Sequence, residues 1–355
     1  MQQDLTRVLQ EHVQQAIRIK QGVKITGGNS KNFLSCLDRD DLVPLDISGH
    51  RGIIKYDSRE LVLTARAGTT LADIEAVLAQ SGQMLPFEPP HFGAAATLGG
   101  TVACNLSGPR RAYAGAARDF ILGTRIINGR AEVLRFGGEV MKNVAGYDVS
   151  RLMAGAMGTL GAVLEVSIKV LPRAAASATV VHARSAQQAL QDMNTWAGRP
   201  YPISASCYHD GRLYVRLEGA GSSVTAAARQ LGGELLGDAD QFWYDLREHR
   251  HEFFSSARTL WRLTVKSTAP LLDDAAGWMF EWAGARRWTT TEIAASRIRD
   301  YAASCGGHAM QFRHADASVE IHHPLAQGLE HLHQRLKLAF DPERIFNPGC
   351  LYRGL

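Results

Sequence analysis

Apolar residues recur along this chain with two different periods, and the switches between them lay out its elements. Leu5, Val8, Leu9, Val13 and Ala16 share one helical face and predict an N-terminal helix. VKIT (23–26) reads as a short strand running into Gly27-Gly28-Asn29-Ser30. Strands are predicted around 43–47 and 53–56, and ELVLTARA (60–67) adds a third. Thr70 and Asp73 open a helix whose apolar face is Leu71, Ile74, Val77 and Leu78, closed by Gly82. Asn128-Gly129, between ILGTRII and AEVLRF, is the strongest hairpin signal in the chain. A strand over 164–171 stops at Pro172.

The pattern changes at Arg173-Ala-Ala-Ala-Ser, which marks a domain boundary. Beyond it come a strand (177–183), a helix (185–197), a strand (202–208), an Asp210-Gly211 turn, a strand (212–218) and a helix (222–231). That β-α-β-β-α order suits a split, ferredoxin-like sheet. Strands near 260–266 and 309–312 and helices near 291–304 and 325–339 follow less regularly. The expected organisation is α+β: a first domain over 1–172, an α+β cap domain over 173–338, and a tail over 339–355. The tail, FDPERIFNPGCLYRGL, is broken by its prolines and Gly349 and is expected to lie across the first domain.

Composition narrows the function classes. Hydrophobic residues make up 45% and charged residues 21% of 355, an ordinary globular balance. A net charge of +4, with Arg110-Arg111 and Arg286-Arg287 as isolated basic pairs, argues against a nucleic-acid partner. The five cysteines (Cys36, Cys104, Cys207, Cys305, Cys350) are widely spaced and form no C-x-x-C, which disfavours an iron–sulphur cluster or zinc ribbon in this chain. Reduced thiols fit a cytoplasmic location. The charged amphipathic N-terminus does not read as a signal peptide. The apolar run near 152–164 is too short and Gly-rich to span a bilayer, so membrane association would come only through partners.

The candidate chemistry lies between Pro86 and Val170, a stretch crowded with Gly, Ala, Ser, Thr and Asn and poor in bulky core residues until its last strand. Backbone pressed against a large, flat, partly anionic ligand needs such residues, with Gly letting main-chain N–H groups reach it. Three small-residue segments stand out: GGNS at 27–30, TLGGTVACNLSG at 97–108 and GAMGTLGAV at 155–163. GGNS after a strand suits a pyrophosphate cup, although taken alone such a segment is more often a plain turn. The P-loop pattern is absent, and no G-x-G-x-x-G opens a helix here.

Together, KITGGNS, PFEPP…ATLGGTVACNLSGPRR, GGEVMKNVAGYDVSRLMAGAMGTLGAV and the tail FDPERIFNPG resemble the vanillyl-alcohol oxidase/p-cresol methylhydroxylase (PCMH-type) family of FAD-binding proteins, and within it the flavin-binding subunits of bacterial glycolate oxidases. The resemblance covers the first domain and the tail; the cap is matched only in layout. It implies a PCMH-type two-subdomain FAD-binding fold. Gly27, Gly28, Asn29 and Ser30 would hold the pyrophosphate, and Thr97, Gly99, Gly100, Asn105 and Ser107 would line the dinucleotide and flavin. Gly158, Thr159, Gly161 and Val163 would close over the adenine side. Lys142, Asn143, Gly146, Tyr147 and Asp148 would lie near the isoalloxazine. Asn105 reads equally as a turn former, and Tyr147 as a core aromatic. The family's covalent flavin links use a His in or near the pyrophosphate loop. Here that loop carries Asn29-Ser30 and the nearest His is His50, so FAD is expected to be non-covalent.

Six histidines come late: His308, His314, His322, His323, His331 and His333. Related α-hydroxy-acid dehydrogenases carry H-G-H-x-G-D-G-N-x-H in this region, whereas this chain has GGHAMQFRH (306–314) and lacks the G-D-G-N core. His331 and His333 point about 200° apart on a helix and make a poor chelate, so no metal site is expected. His308 and His323 remain the candidate general bases, since neutral imidazole suits proton abstraction from a hydroxyl. The resemblance implies an FAD-dependent 2-hydroxy-acid oxidoreductase subunit, oxidising glycolate or D-lactate to the 2-oxo acid. Its partners would be a second FAD-binding subunit and an iron–sulphur subunit, with the complex cytoplasmic or peripheral at the inner membrane. The alternative is a scaffold subunit with no chemistry of its own.

Overall fold

In the computed structural model, which describes all residues except 1, 36–40, 139–146, 257, 273–276, 291 and 314–318, the strand read at 60–67 runs over Val62–Arg66. It belongs to a five-stranded antiparallel sheet in the order Ile53–Asp57, Val62–Arg66, Ala162–Lys169, Ile121–Ile127, Val133–Gly137. Ala162–Lys169 is central and buried on both faces, which explains its almost unbroken apolar run. Its one acid, Glu165, is buried between Arg125 (2.7 Å) and Arg135 (2.9 Å) from the two strands beyond it. The helix Leu71–Gln80 starts as predicted: Thr70 Oγ1 accepts from the Asp73 N–H at 3.1 Å, and Leu71, Ile74 and Leu78 are fully buried. The N-terminal helix Thr6–Arg18 buries Leu9, Val13 and Ala16 and leaves Val8 exposed. Val23–Thr26 pairs in parallel with Val43–Asp46.

The hairpin at Asn128-Gly129 forms, but its turn is not the two-residue type that the dipeptide suggests. The strands pair Ile127 with Val133 across a five-residue connection, and Ala131, not Gly129, carries the left-handed φ of 58°. The Asn128 side chain organises the loop, its Oδ1 accepting from the Arg130 and Glu132 N–H groups. Gly129 is required by a neighbour instead. A Cβ there would sit 2.4 Å from Asp341 Oδ1, and its N–H donates to Phe340 O.

The chain divides into two units. The first gathers 1–106, 116–172 and 324–355; the second gathers 107–115 and 173–323. The sequence reading ends the cap at 338, whereas the helix Gln327–Phe340 groups with the first unit. Its Lys337 explains this, being buried against Thr159 and the tail.

The second unit is one eight-stranded antiparallel sheet built from two similar halves. In the first half the order is Glu234–Leu235, Ala176–Ala183, Arg212–Gly219, Ile203–His209, the fourth-first-third-second arrangement of a ferredoxin-like sheet. The second half mirrors it as Met279–Glu281, Arg286–Thr289, Leu260–Thr264, His308–Arg313. The two halves join through their second strands, with Tyr208 opposite Phe280. Helices Ala186–Ala197, Gly221–Leu231 and Ala295–Ser304 cover a core that includes Leu190, Val224, Leu263, Phe280 and Ile298. Helix Ala239–Arg247 and the pair Met279–Glu281 and Arg286–Thr289 carried no clear sequence signal.

Candidate functional site

Within the first unit, all three small-residue segments line one cleft of about 1020 Å³, counting its open mouth. Of the residues singled out from sequence, Gly27, Gly28, Asn29, Ser30, Thr97, Gly99, Gly100, Gly158, Gly161 and Val163 form its walls.

The strand Val23–Thr26 ends at this cleft because Asn29 turns the chain with a left-handed φ of 54°. Among the described residues, the four successive N–H groups of 27–30 donate to no protein acceptor. A row of main-chain donors around an exposed left-handed Asn29, with Gly27, Gly28 and Ser30 half-buried, makes an anion-binding concavity. The second segment differs from the loop expected. Thr97 caps a short helix, Leu98–Cys104, with Gly99 and Gly100 in its first turn. The N–H groups of Leu98, Gly99 and Gly100 are already bonded, to Thr69 O, Ala67 O and Thr97 Oγ1. This helix therefore offers a small-residue wall to the cleft, and the open donors come from 27–30.

The glycines bring backbone against backbone to shape the cleft. A Cβ on Gly28 would lie 1.5 Å from Ala95 O, and one on Gly99 would lie 2.7 Å from the Ala67 Cβ. The tail fixes the third wall. Asn347 Oδ1 accepts from the Ile25 N–H at 2.7 Å while its Nδ2 donates to Met157 O at 2.7 Å. Asn347 and Cys350 themselves line the cleft, and Val23 and Phe346 pair through a parallel bridge. Burial pushes the Cys350 thiol up, with Ser35 Oγ 3.3 Å away. Sequence reading placed the tail near this domain without assigning Asn347 or Cys350 to the site; Asn-Pro-Gly after Ile-Phe was the available signal.

The other named residues sit elsewhere. Asn105 is the left-handed C-cap of helix Leu98–Cys104, its Oδ1 accepting from the Arg118 N–H. Thr159 is buried, its hydroxyl donating to Ala156 O and its carbonyl accepting from Lys337. Tyr147 is 96% exposed rather than a core aromatic, and Asp148 caps a four-residue helix. Ser107 groups with the second unit, where its carbonyl accepts from Arg286 Nη1 at 3.1 Å. Lys142, Asn143, Gly146 and His314 lie outside the described residues.

His308, His322 and His323 group on the edge strand His308–Arg313 and on the segment beside it, where the Gln311 N–H donates to Ile321 O. Desolvation and then Arg262 hold His308 below the usual histidine range, and the same two causes take His322 down to about 4. His323 is lowered by desolvation and then by Arg299, and its Nδ1 accepts from the Ala309 N–H at 3.3 Å. No cluster of three or more His, Cys, Asp or Glu suited to a metal occurs among the described residues. Nor is any helix among them long and apolar enough to cross a membrane.

The cleft fits a dinucleotide: a row of open N–H donors for a pyrophosphate, and flat small-residue walls for ring systems. Residues 6–137 match the family described as FAD binding domain. The fold is shared with a solved alkyldihydroxyacetonephosphate synthase at a TM-score of 0.68, covering 96% of this chain and 74% of that one at 17% identity. The glycolate oxidase subunit GlcD of Bacillus subtilis (strain 168) is 32% identical over 121 residues, 34% of this chain and 26% of that protein. The glycolate oxidase subunit GlcE of Escherichia coli (strain K12) is 49% identical over 352 residues, 99% of both chains. With that identity sustained from end to end, the chain belongs to the family of FAD-binding proteins that includes the glycolate oxidase subunit GlcE.

Proposed function

We propose that this chain is the FAD-binding subunit of an enzyme that oxidises glycolate to its 2-oxo acid, with D-lactate as a second substrate. The observation that carries the reading is the convergence of 27–30, 97–100 and 157–163 on one cleft, in a chain 49% identical to GlcE throughout. FAD, when bound, supplies the hydride acceptor. The N–H groups of 27–30 hold its pyrophosphate, and the helix Leu98–Cys104 and the 157–163 segment flank its rings. The absence of a His at 29 or 30 supports non-covalent binding.

The oxidation also needs a base for the substrate hydroxyl. Of the two candidates, His323 accepts a backbone N–H at Nδ1, which puts its neutral-ring proton on Nε2 and leaves no lone pair for substrate. His308 suits the role better, since its lowered affinity for protons keeps the ring neutral near pH 7. Arg262, whose charge lowers His308, also favours an anionic carboxylate nearby. Onward electron transfer passes to an iron–sulphur subunit, alongside a second flavin subunit, in a cytoplasmic complex that reaches the inner membrane through its partners.

A scaffold role without chemistry is favoured by one observation: GGHAMQFRH lacks the G-D-G-N core of related dehydrogenases. Anaerobic mixing of the FAD-loaded subunit with glycolate, followed by flavin absorbance, separates the readings. Bleaching of the flavin absorbance is expected; a spectrum unmoved by glycolate and D-lactate would leave the scaffold role.

A further inference from the structure

We infer that a leucine seam on the last helix, Gln327–Phe340, docks an amphipathic helix of a partner subunit, one with acidic residues beside its own apolar stripe. This rests on the reading above that the chain works as one subunit of an assembly. The helix is inverted relative to an ordinary amphipathic one. The only side chain it buries is Lys337, while Leu329 and Leu332 are 51% and 48% exposed and Leu336 is half-buried. Surface helices of globular units bury their apolar stripe and keep charge outside. Here the lysine is inside and the leucines face out. Lys337 fixes the helix from behind through Thr159 O and Phe346 O, so whatever covers the seam bears on the same helix that braces the third cleft segment.

The spacing identifies the occupant as a helix. Leu329, Leu332, Leu336 and Ala339 follow the alternating three- and four-residue steps of a coiled-coil seam, which a second helix reads. The positions beside that seam decide between partners. They are Gly328 and Arg335 on one flank and His333 and Phe340 on the other, with no acid among them. Pairing with a second copy, in either orientation, would give Arg335 no acid to meet at those flanks. A different helix with Glu or Asp at its own flanks answers that charge, and flank charges set partner choice in such pairs. The His333 ring lies 5.9 Å from the Tyr352 ring of the tail, so exposed Arg335 is the flank charge that faces an arriving partner.

The test measures binding of the full chain to the purified second flavin subunit and iron–sulphur subunit proposed above. Leu329→Glu with Leu332→Glu should weaken association with one of them by about 30-fold or more, the loss expected of interface hot spots. Leu338→Glu is the control. Leu338 is 46% exposed on the same helix but lies about 120–180° around from the seam leucines, so its variant should bind like the parent. Arg335→Glu should slow association and reduce its dependence on salt. Parent-like affinity in the double variant would overturn the inference while leaving the subunit reading intact. So would self-association of the chain that the double variant abolishes, since a second copy would then be the occupant. A wild-type chain that binds neither subunit would instead remove the subunit reading, and the inference with it. Should the double variant not fold, Arg335→Glu against Leu338→Glu decides, and equal association rates would overturn the inference.

Discussion

Lys337 Nζ lies 2.8 Å from Asp341 Oδ2, one helical turn away, with both side chains at 1% exposure or less. The same ammonium donates to Thr159 O at 2.8 Å and to Phe346 O at 2.7 Å, and Asp341 accepts from the Ile345 and Phe346 N–H groups. Burial pushes the lysine below its usual range against the pull of Asp341. One ion pair thus ties the last helix, the tail and the third cleft segment together. Each charge has its hydrogen bonds met, the condition under which a buried pair is tolerated.

Removing one partner breaks that balance. Asp341→Ala leaves a buried ammonium and two backbone donors without their acceptor, and should cost about 3–5 kcal/mol. Replacing both, as Lys337→Met with Asp341→Leu, removes the unpaired charge and should recover part of the loss. Urea unfolding midpoints of the two variants against the parent check this. Equal midpoints for the single and double variants would count against the pair.

Asn347 joins the end of strand Val23–Thr26 to the 155–161 segment through two side-chain hydrogen bonds. Asn347→Ala should lower stability by about 1–3 kcal/mol, since the Ile25 N–H and Met157 O lose their partners in a partly buried site. It should also loosen FAD, because two cleft walls are no longer held in register. Equilibrium dialysis of flavin beside a melting curve measures both effects in one preparation.

Local signals made much of this structure legible. ELVLTARA, the Thr70-capped helix and the Asn128 hairpin each announce themselves within ten residues or so, and each forms. The cleft was legible because its three segments carry the same small-residue composition although they are far apart in sequence. What composition hid was the partner of each glycine. Gly129 reads as a turn residue, yet Asp341, more than two hundred positions later, is what excludes a side chain there. TLGG reads as a loop, yet Thr97 and the fit of Gly99 against Ala67 make it a helix start. The strands Met279–Glu281 and Arg286–Thr289 escaped notice because their buried positions include charged residues. Glu281 accepts from the Trp288 indole, and Arg287 donates to Pro270 O and Ala269 O. Between them Trp282, Ala283 and Gly284 all adopt left-handed φ values, which no hydrophobic period encodes.

Gly28 is the sharpest test of the cleft's shape. Its missing Cβ would fall 1.5 Å from Ala95 O, so Gly28→Ala must displace the cradle or the chain beneath it. The purified variant should be colourless while keeping its secondary structure. Gly82→Ala is the matched control: it has open space around it and only a left-handed φ of 62° to strain, which costs about 1–2 kcal/mol. It should retain flavin. A yellow Gly28→Ala protein would show that the 27–30 segment does not set the cofactor's position.

Acid sensitivity of the second unit has a defined sign. His322 titrates near 6.5 when unfolded and at about 4 when folded, because desolvation, Arg262 and His308 all oppose its charged form. Between those values the unfolded chain binds a proton that the folded one does not, so stability rises with pH across that window and falls as pH drops through it. One such proton contributes a slope of up to about 1.4 kcal/mol per pH unit. His249, lowered by burial beside Arg313, Arg286 and Arg262, adds to the trend in the same direction. Urea midpoints measured from pH 4 to 7 should therefore climb and then level off, and His322→Gln should flatten the climb by one proton's worth. An unchanged slope in His322→Gln would show that burial and its cationic neighbours do not hold this imidazole neutral in the folded chain.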